Sequence, residues 1–150
     1  MRYGFDSPPG WIERPYPPPQ KGVLLVAPPL TPRASILFMD AISSVGTLEE
    51  QVEAALDQGC ADSVVLERGR AMRLPPGPGL PGVVAVAKVA LKEVVPTLET
   101  HRVFAMFQGQ YERLPVVFLG DSEAMTAHHD TLQQVLASIR IEDPQDEALY

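Results

Sequence analysis

Cysteine and tryptophan each occur once, as Cys60 and Trp11. One thiol cannot close an intrachain disulfide, so burial and hydrogen bonding have to hold the fold without a covalent staple. Basic residues are scarce as well: 12 Lys and Arg face 19 Asp and Glu, a formal net charge of -7. An acidic surface repels phosphate backbones, and no nucleic acid partner is expected. Long apolar runs are missing. A helix needs roughly 20 apolar residues to cross a bilayer, and prolines or charges interrupt every run before that, so no membrane span is expected. Residues 1–6 lack the basic stretch followed by an apolar core that a secretory signal needs, which points to a cytoplasmic chain.

Catalytic signatures are equally thin. No Gly-x-Ser-x-Gly elbow occurs, and acidic residues such as Asp40, Glu67 and Glu99 fall in different elements. Gly77, Gly79 and Gly82 have the spacing of a dinucleotide-binding loop, but Pro78 and Pro81 remove two of the amides that would cradle a pyrophosphate. A stiff loop is the other reading. His128, His129 and Asp130 stand in a row, yet consecutive helical positions diverge by about 100°, which makes one metal hard to reach from all three. His101 is the remaining histidine that can join them. Cys60 follows the end of a helical segment with no basic cluster beside it, as a small buried residue does. No cofactor is expected.

What the chain does have is proline and apolar residues. A length of 150 with 45% hydrophobic content suits one domain, 1–150, with one core. The 16 prolines cluster at 8–9, 15–19, 28–32 and 75–81, where they mark connections, since proline removes a backbone donor and biases its predecessor towards extended backbone. Two of these stretches, 15–19 with Tyr16 and 75–78, have Pro-x-x-Pro spacing, which suits either rigid connectors or recognition by aromatic grooves. Between the clusters, residues 23–27, 34–42, 64–74, 83–91, 99–107 and 113–119 are short, apolar and rich in β-branched or aromatic side chains, and predict six strands. Gln108-Gly109-Gln110 predicts a hairpin, and Pro115 suggests an edge strand or a bulge. Both faces of 99–107 are partly apolar, so the sheet is either covered on both sides or covered on one and offered to a partner on the other.

Two segments have helical period. Thr47 and Glu50 form a capping-box pattern before Leu48, Val52, Ala55 and Leu56, with Gly59 as a stop. Asp121 or Ser122 caps a second helix, whose stripe is Met125, Leu132, Val135, Leu136 and Ile139. The acidic tail 142–150 has little to bury and is expected to fray.

The order of a strand-rich first half, a capped helix, several antiparallel strands and a closing helix ending in Leu136-Ala137-Ser138-Ile139-Arg140 resembles the PsbP-like fold, as does the Pro9-Gly10-Trp11 opening. The resemblance spans nearly the whole chain and implies an α+β domain with an antiparallel sheet of about six strands and two main helices, a PsbP-like α/β sandwich. In size and acidic balance the chain is similar to one branch of that fold, the small chaperones that shield hydrophobic helices of type VI secretion effectors. It departs from them in its proline-rich stretches at 15–19 and 75–81.

Function is therefore expected in a surface of the sheet: a non-enzymatic protein-binding module, a chaperone or adaptor for an apolar helix of a secreted effector. A small-molecule or lipid carrier and an enzyme with an unrecognised site are the alternatives, and a homodimer is compatible with all three. Candidate partner-binding residues are Trp11, Phe38, Phe104 and Met106 for apolar contact, and Arg68 and Arg70 for charge, the last two placed by period two on the face opposite Arg73.

Overall fold

The computed structural model describes residues 2–16, 22–91 and 99–142. Most of the proline stretch at 15–19, and the tail beyond Glu142, lie outside them. The first half runs β1 (Arg2–Gly4), β2 (Ile12–Pro15), β3 (Gly22–Val26), β4 (Ala34–Met39), β5 (Ile42–Ser43) and α1 (Leu48–Gly59). The second runs β6 (Ser63–Arg68), β7 (Met72–Arg73), β8 (Gly82–Leu91), β9 (Glu99–Gln108), β10 (Glu112–Gly120), α2 (Ser122–Ala137) and β11 (Arg140–Glu142).

The sheet is antiparallel, in the order β2-β3-β4-β10-β9-β8-β6, with β5 added on β10 and β7 on β8. It has nine strands rather than about six, because two expected strands break and one was not foreseen. The run 34–42 splits at Asp40 and Ala41 into β4 and β5, and the run 64–74 splits at 69–71 into β6 and β7. β2 is four exposed residues and has no apolar pattern to announce it. Pro115 lies inside the sheet, not at its edge: β10 pairs with β5 through Arg113 and with β4 from Val116 onward, so the proline falls opposite the break between them. A missing donor is tolerated where the ladder changes partner.

β1 and β11 form a separate two-stranded ribbon, Tyr3 opposite Ile141, that joins the two ends of the described chain. Glu142, expected to fray, is its last residue; Arg140 bonds to Asp6 at 2.9 Å and to Glu142 at 3.1 Å.

Alternation sends the two sides of each strand to two cores. On one face Ile36, Phe38, Val103, Ala105, Phe107, Val116 and Phe118 pack beneath α2 and Ile139. On the other, Val83, Ala85, Ala87, Val89 and Met106 pack beneath Leu48, Val52 and Leu56 of α1. α1 begins as expected: the Glu50 amide donates to Thr47 Oγ1 at 3.1 Å, and the Thr47 amide to Glu50 at 3.3 Å. α1 stops at Gly59 as expected, and the missing Cβ there leaves room for the ring of Phe104. Asp121 caps α2 by accepting from the Ala124 amide at 2.8 Å.

The α1 entrance is fixed by a buried cation. Arg113, only 7% exposed, donates to the carbonyls of Val45, Gly46 and Thr47 and to the side chains of Gln51 and Gln108. Among the described residues no carboxylate is involved, so five neutral acceptors replace the water the guanidinium loses. Replacing Arg113 with Met should leave those acceptors unpaired and lower unfolding free energy by about 2–4 kcal/mol, whereas Thr47→Ala should cost about 1 kcal/mol, both read as shifts in urea midpoint. Equal effects of the two substitutions would contradict this role for Arg113.

Candidate functional site

The two faces are covered unequally. On the α2 face the N-terminal segment adds to the helix: Phe5 stacks on Phe38 with ring centroids 3.9 Å apart, and Trp11 meets His128 edge-on at 5.1 Å. On the α1 face the helix packs over β8 and β9. Beside it, over β10 and β4, lies an open groove of about 630 Å³. Its floor is Leu37, Val117, Leu119 and Phe104, and it reaches Met39 and Ile42 at one end and Thr100 and Arg102 at the other. Ala55, Gln58 and Gly59 form its α1 wall. These floor residues are neighbours by register, Val117 standing between Leu37 on β4 and Phe104 on β9.

The α1 helix is built for this asymmetry. Glu49, Glu53 and Asp57, at successive four-residue steps, line the flank away from the groove. There Arg68 forks onto Asp57 at 2.7 Å and reaches Glu53 at 3.1 Å, while Arg73 reaches Glu49 at 2.8 Å. Donating hydrogen bonds first to Asp57 and then to Glu53 holds the pKa of the Arg68 guanidinium above its ordinary value. The groove flank has no charge of α1 along it, only small or amide side chains.

A second cleft, of about 900 Å³, continues from Thr100, Leu119 and Gly120 towards the turn at 28–31. That turn closes through the Thr31 amide and the Pro28 carbonyl at 3.3 Å and holds Leu30 at φ 69°, fully exposed. A leucine there is strained by roughly 1 kcal/mol, where glycine or asparagine would not be.

Of the six residues expected to meet a partner, the structure brings Phe104 and Met106 to the groove, with Met106 wholly buried at its edge. Phe38 points to the opposite face and is covered by Phe5. Trp11 packs against the α2-side core. Arg68 is bound to α1, and Arg70 is exposed between β6 and β7. Arg68 and Arg73 share the α1 flank instead of facing apart, because the break at 69–71 lies between them and resets the alternation. Leu37, Met39, Val117, Leu119 and Arg102 were not singled out by sequence. Their signal was available in the strands whose two faces are both apolar.

The other candidate chemistry is dispersed. His128 is buried with Nε2 2.8 Å from the Pro32 carbonyl, His129 points outward beside Asp130, and His101 sits in β9. Among the described residues no group of three or more His, Cys, Asp or Glu is placed to hold a metal. The loop carrying Gly77, Gly79 and Gly82 folds onto the end of α2, with the Leu80 amide donating to the Ile139 carbonyl at 2.9 Å. Cys60 is buried under α1. Among the described residues no helix is long and apolar enough to cross a membrane.

No protein-family model matches the sequence, and no curated protein does. A solved structure similar to this chain is that of LpqN, involved in cell envelope biogenesis of Mycobacterium tuberculosis. It is 8% identical, with a TM-score of 0.48 over 92% of this chain and 82% of LpqN. At that identity the likeness carries no information about activity.

Met39 and Leu119 are 42% and 40% exposed, so they contribute to the groove more than to the core. Changing both to Ser should alter stability by less than about 1 kcal/mol, while Phe104→Ala, beneath the Gly59 end of α1, should cost about 3 kcal/mol. An apolar fluorescent dye added to the folded protein should lose most of its signal in the double variant; an unchanged signal would place the accessible apolar surface elsewhere.

Proposed function

We propose that this chain is a non-enzymatic protein-binding module of PsbP-like fold, a chaperone or adaptor that covers an apolar helix of another protein, such as a secreted effector. The observation that carries the reading is the apolar floor beside α1, where half-buried Leu37 and exposed Leu119 flank the buried Val117.

Dimensions favour a helix as occupant. Three strands at about 4.8 Å spacing give a bed some 10 Å wide between the outer backbones, and a helix with side chains is about 10 Å across. The neutral α1 flank, with Ala55 and Gly59 four residues apart, lets a second helix lie close against the first. The occupant would thus complete a helix layer of which α1 is one half. The groove is open along one side, which suits a partner whose outer face stays in water better than it suits a lipid that has to be enclosed.

A photo-crosslinking amino acid at Leu119 or at Met39, expressed in the source cells, should capture the same protein from both positions, and the same residue at Leu66 on the β6 edge should not. Capture of a second copy of this chain alone, of lipid alone, or of nothing from either groove position would count against the proposal.

A further inference from the structure

Resting on that reading, we infer that the helix received by the groove carries an acidic side chain at one end of its apolar stripe, and that Arg102 holds it. Among the described residues Arg102 is the one charged residue lining the groove. Its side chain is half-buried on β9, and among the described residues it donates from Nη1 to the Gly59 carbonyl at the end of α1 and to no other acceptor. A guanidinium has five N–H donors, so most of its capacity is unused by the described residues.

Among the described residues, Arg14, Arg33 and Arg70 are exposed to water, and five other cations have partners of a different kind. Arg68, Arg73, Lys88 and Arg140 each have a carboxylate, and Arg113 has five neutral acceptors. Arg102 has neither arrangement, and it lies where an apolar partner would strip its remaining water. Burying an unpaired cation is penalised heavily, whereas a carboxylate on the partner forms a charge-assisted, two-toothed bond with the guanidinium. An uncharged helix is therefore disfavoured at this end and an acid-bearing one is selected.

Placement makes the groove directional. Arg102 stands opposite Leu119 in the β9–β10 register, at one end; Met39, Ile42 and Pro115 form the other end and have no charge. The six residues of β4 span about 20 Å, which corresponds to a helix of roughly 13 residues. An acid near one terminus of such a helix fixes which way it lies. Because the protein carries a net charge of -7, acids elsewhere on a partner are repelled, so this one cation also sharpens the choice of partner.

The test uses displayed helical peptides of about 14 residues, with apolar positions at i, i+3, i+4 and i+7 and randomised positions beside them, selected on the full chain. Winners are remade with each acidic residue as Glu and as Gln, and affinities are measured on the wild type, Arg102→Lys, Arg102→Gln and Leu119→Glu. The expected result is a Glu form binding at least about tenfold tighter than its Gln form on the wild type, a preference kept in Arg102→Lys, lost in Arg102→Gln, with both forms lost in Leu119→Glu. A Glu-to-Gln ratio near one on the wild type overturns the inference and leaves the groove reading standing. Because Arg102 also caps α1, that wild-type ratio decides the matter even if Arg102→Gln fails to fold. Peptides whose binding ignores Leu119→Glu overturn both.

Discussion

A sheet seven strands across in its main order is about 29 Å wide, and one helix covers only about 10 Å of it. This mismatch of widths governs the molecule. Each face receives one helix, α1 over β8 and β9 on one side and α2 over β9 and β10 on the other, and the remaining strands need another cover. The α2 face obtains it from the N-terminal segment, where Phe5 and Trp11 close over Phe38 and His128. The α1 face has no such supplement among the described residues, and β10, β4 and β3 keep apolar side chains at its surface. The groove is the part of the sheet that the chain's own helices do not reach.

Where that groove lies depends on how α1 is held. Arg113 binds the residues leading into the helix, and Arg68 and Arg73 draw its acidic flank towards the sheet edge. The two edge contacts are half-exposed ion pairs and each contributes about 1 kcal/mol or less. The buried guanidinium of Arg113 contributes more, since removing it leaves several acceptors dry. Gly59 then allows the last turn to settle on Phe104, which places the neutral flank of the helix along the groove. The result is one wall without charge and one floor without charge, with Arg102 at the exit. On the reading proposed, such a surface gains by desolvation on meeting an apolar partner and prefers one charge at its Arg102 end.

Periodicity made much of this legible. Both helices and their caps follow from Thr47, Glu50 and Asp121, whose side chains satisfy amides that have no partner in the first turn. The strands at 23–27, 83–91, 99–107 and 113–119 appear within a residue or two of where apolar β-branched runs place them. The breaks in 34–42 and 64–74 were not legible, because the gaps at 40–41 and 69–71 interrupt the pairing without a marked change in composition. Neither was β2 or the β1–β11 ribbon, whose few residues form strands only because a distant segment pairs with them. Among candidate site residues, hydrophobicity alone does not separate Phe38 from Phe104: the former is closed over by Phe5 and the latter faces the groove.

By itself the amino-acid order determined the local elements, the α+β class and an apolar content on both sides of the central strands, because these follow from backbone sterics and from the spacing of side chains along one chain. Only tertiary structure decided which strands neighbour one another, which half of which face goes uncovered, and that Arg102 stands alone at its end. Those outcomes depend on contacts between residues tens of positions apart, and no regularity within a strand or a helix encodes them.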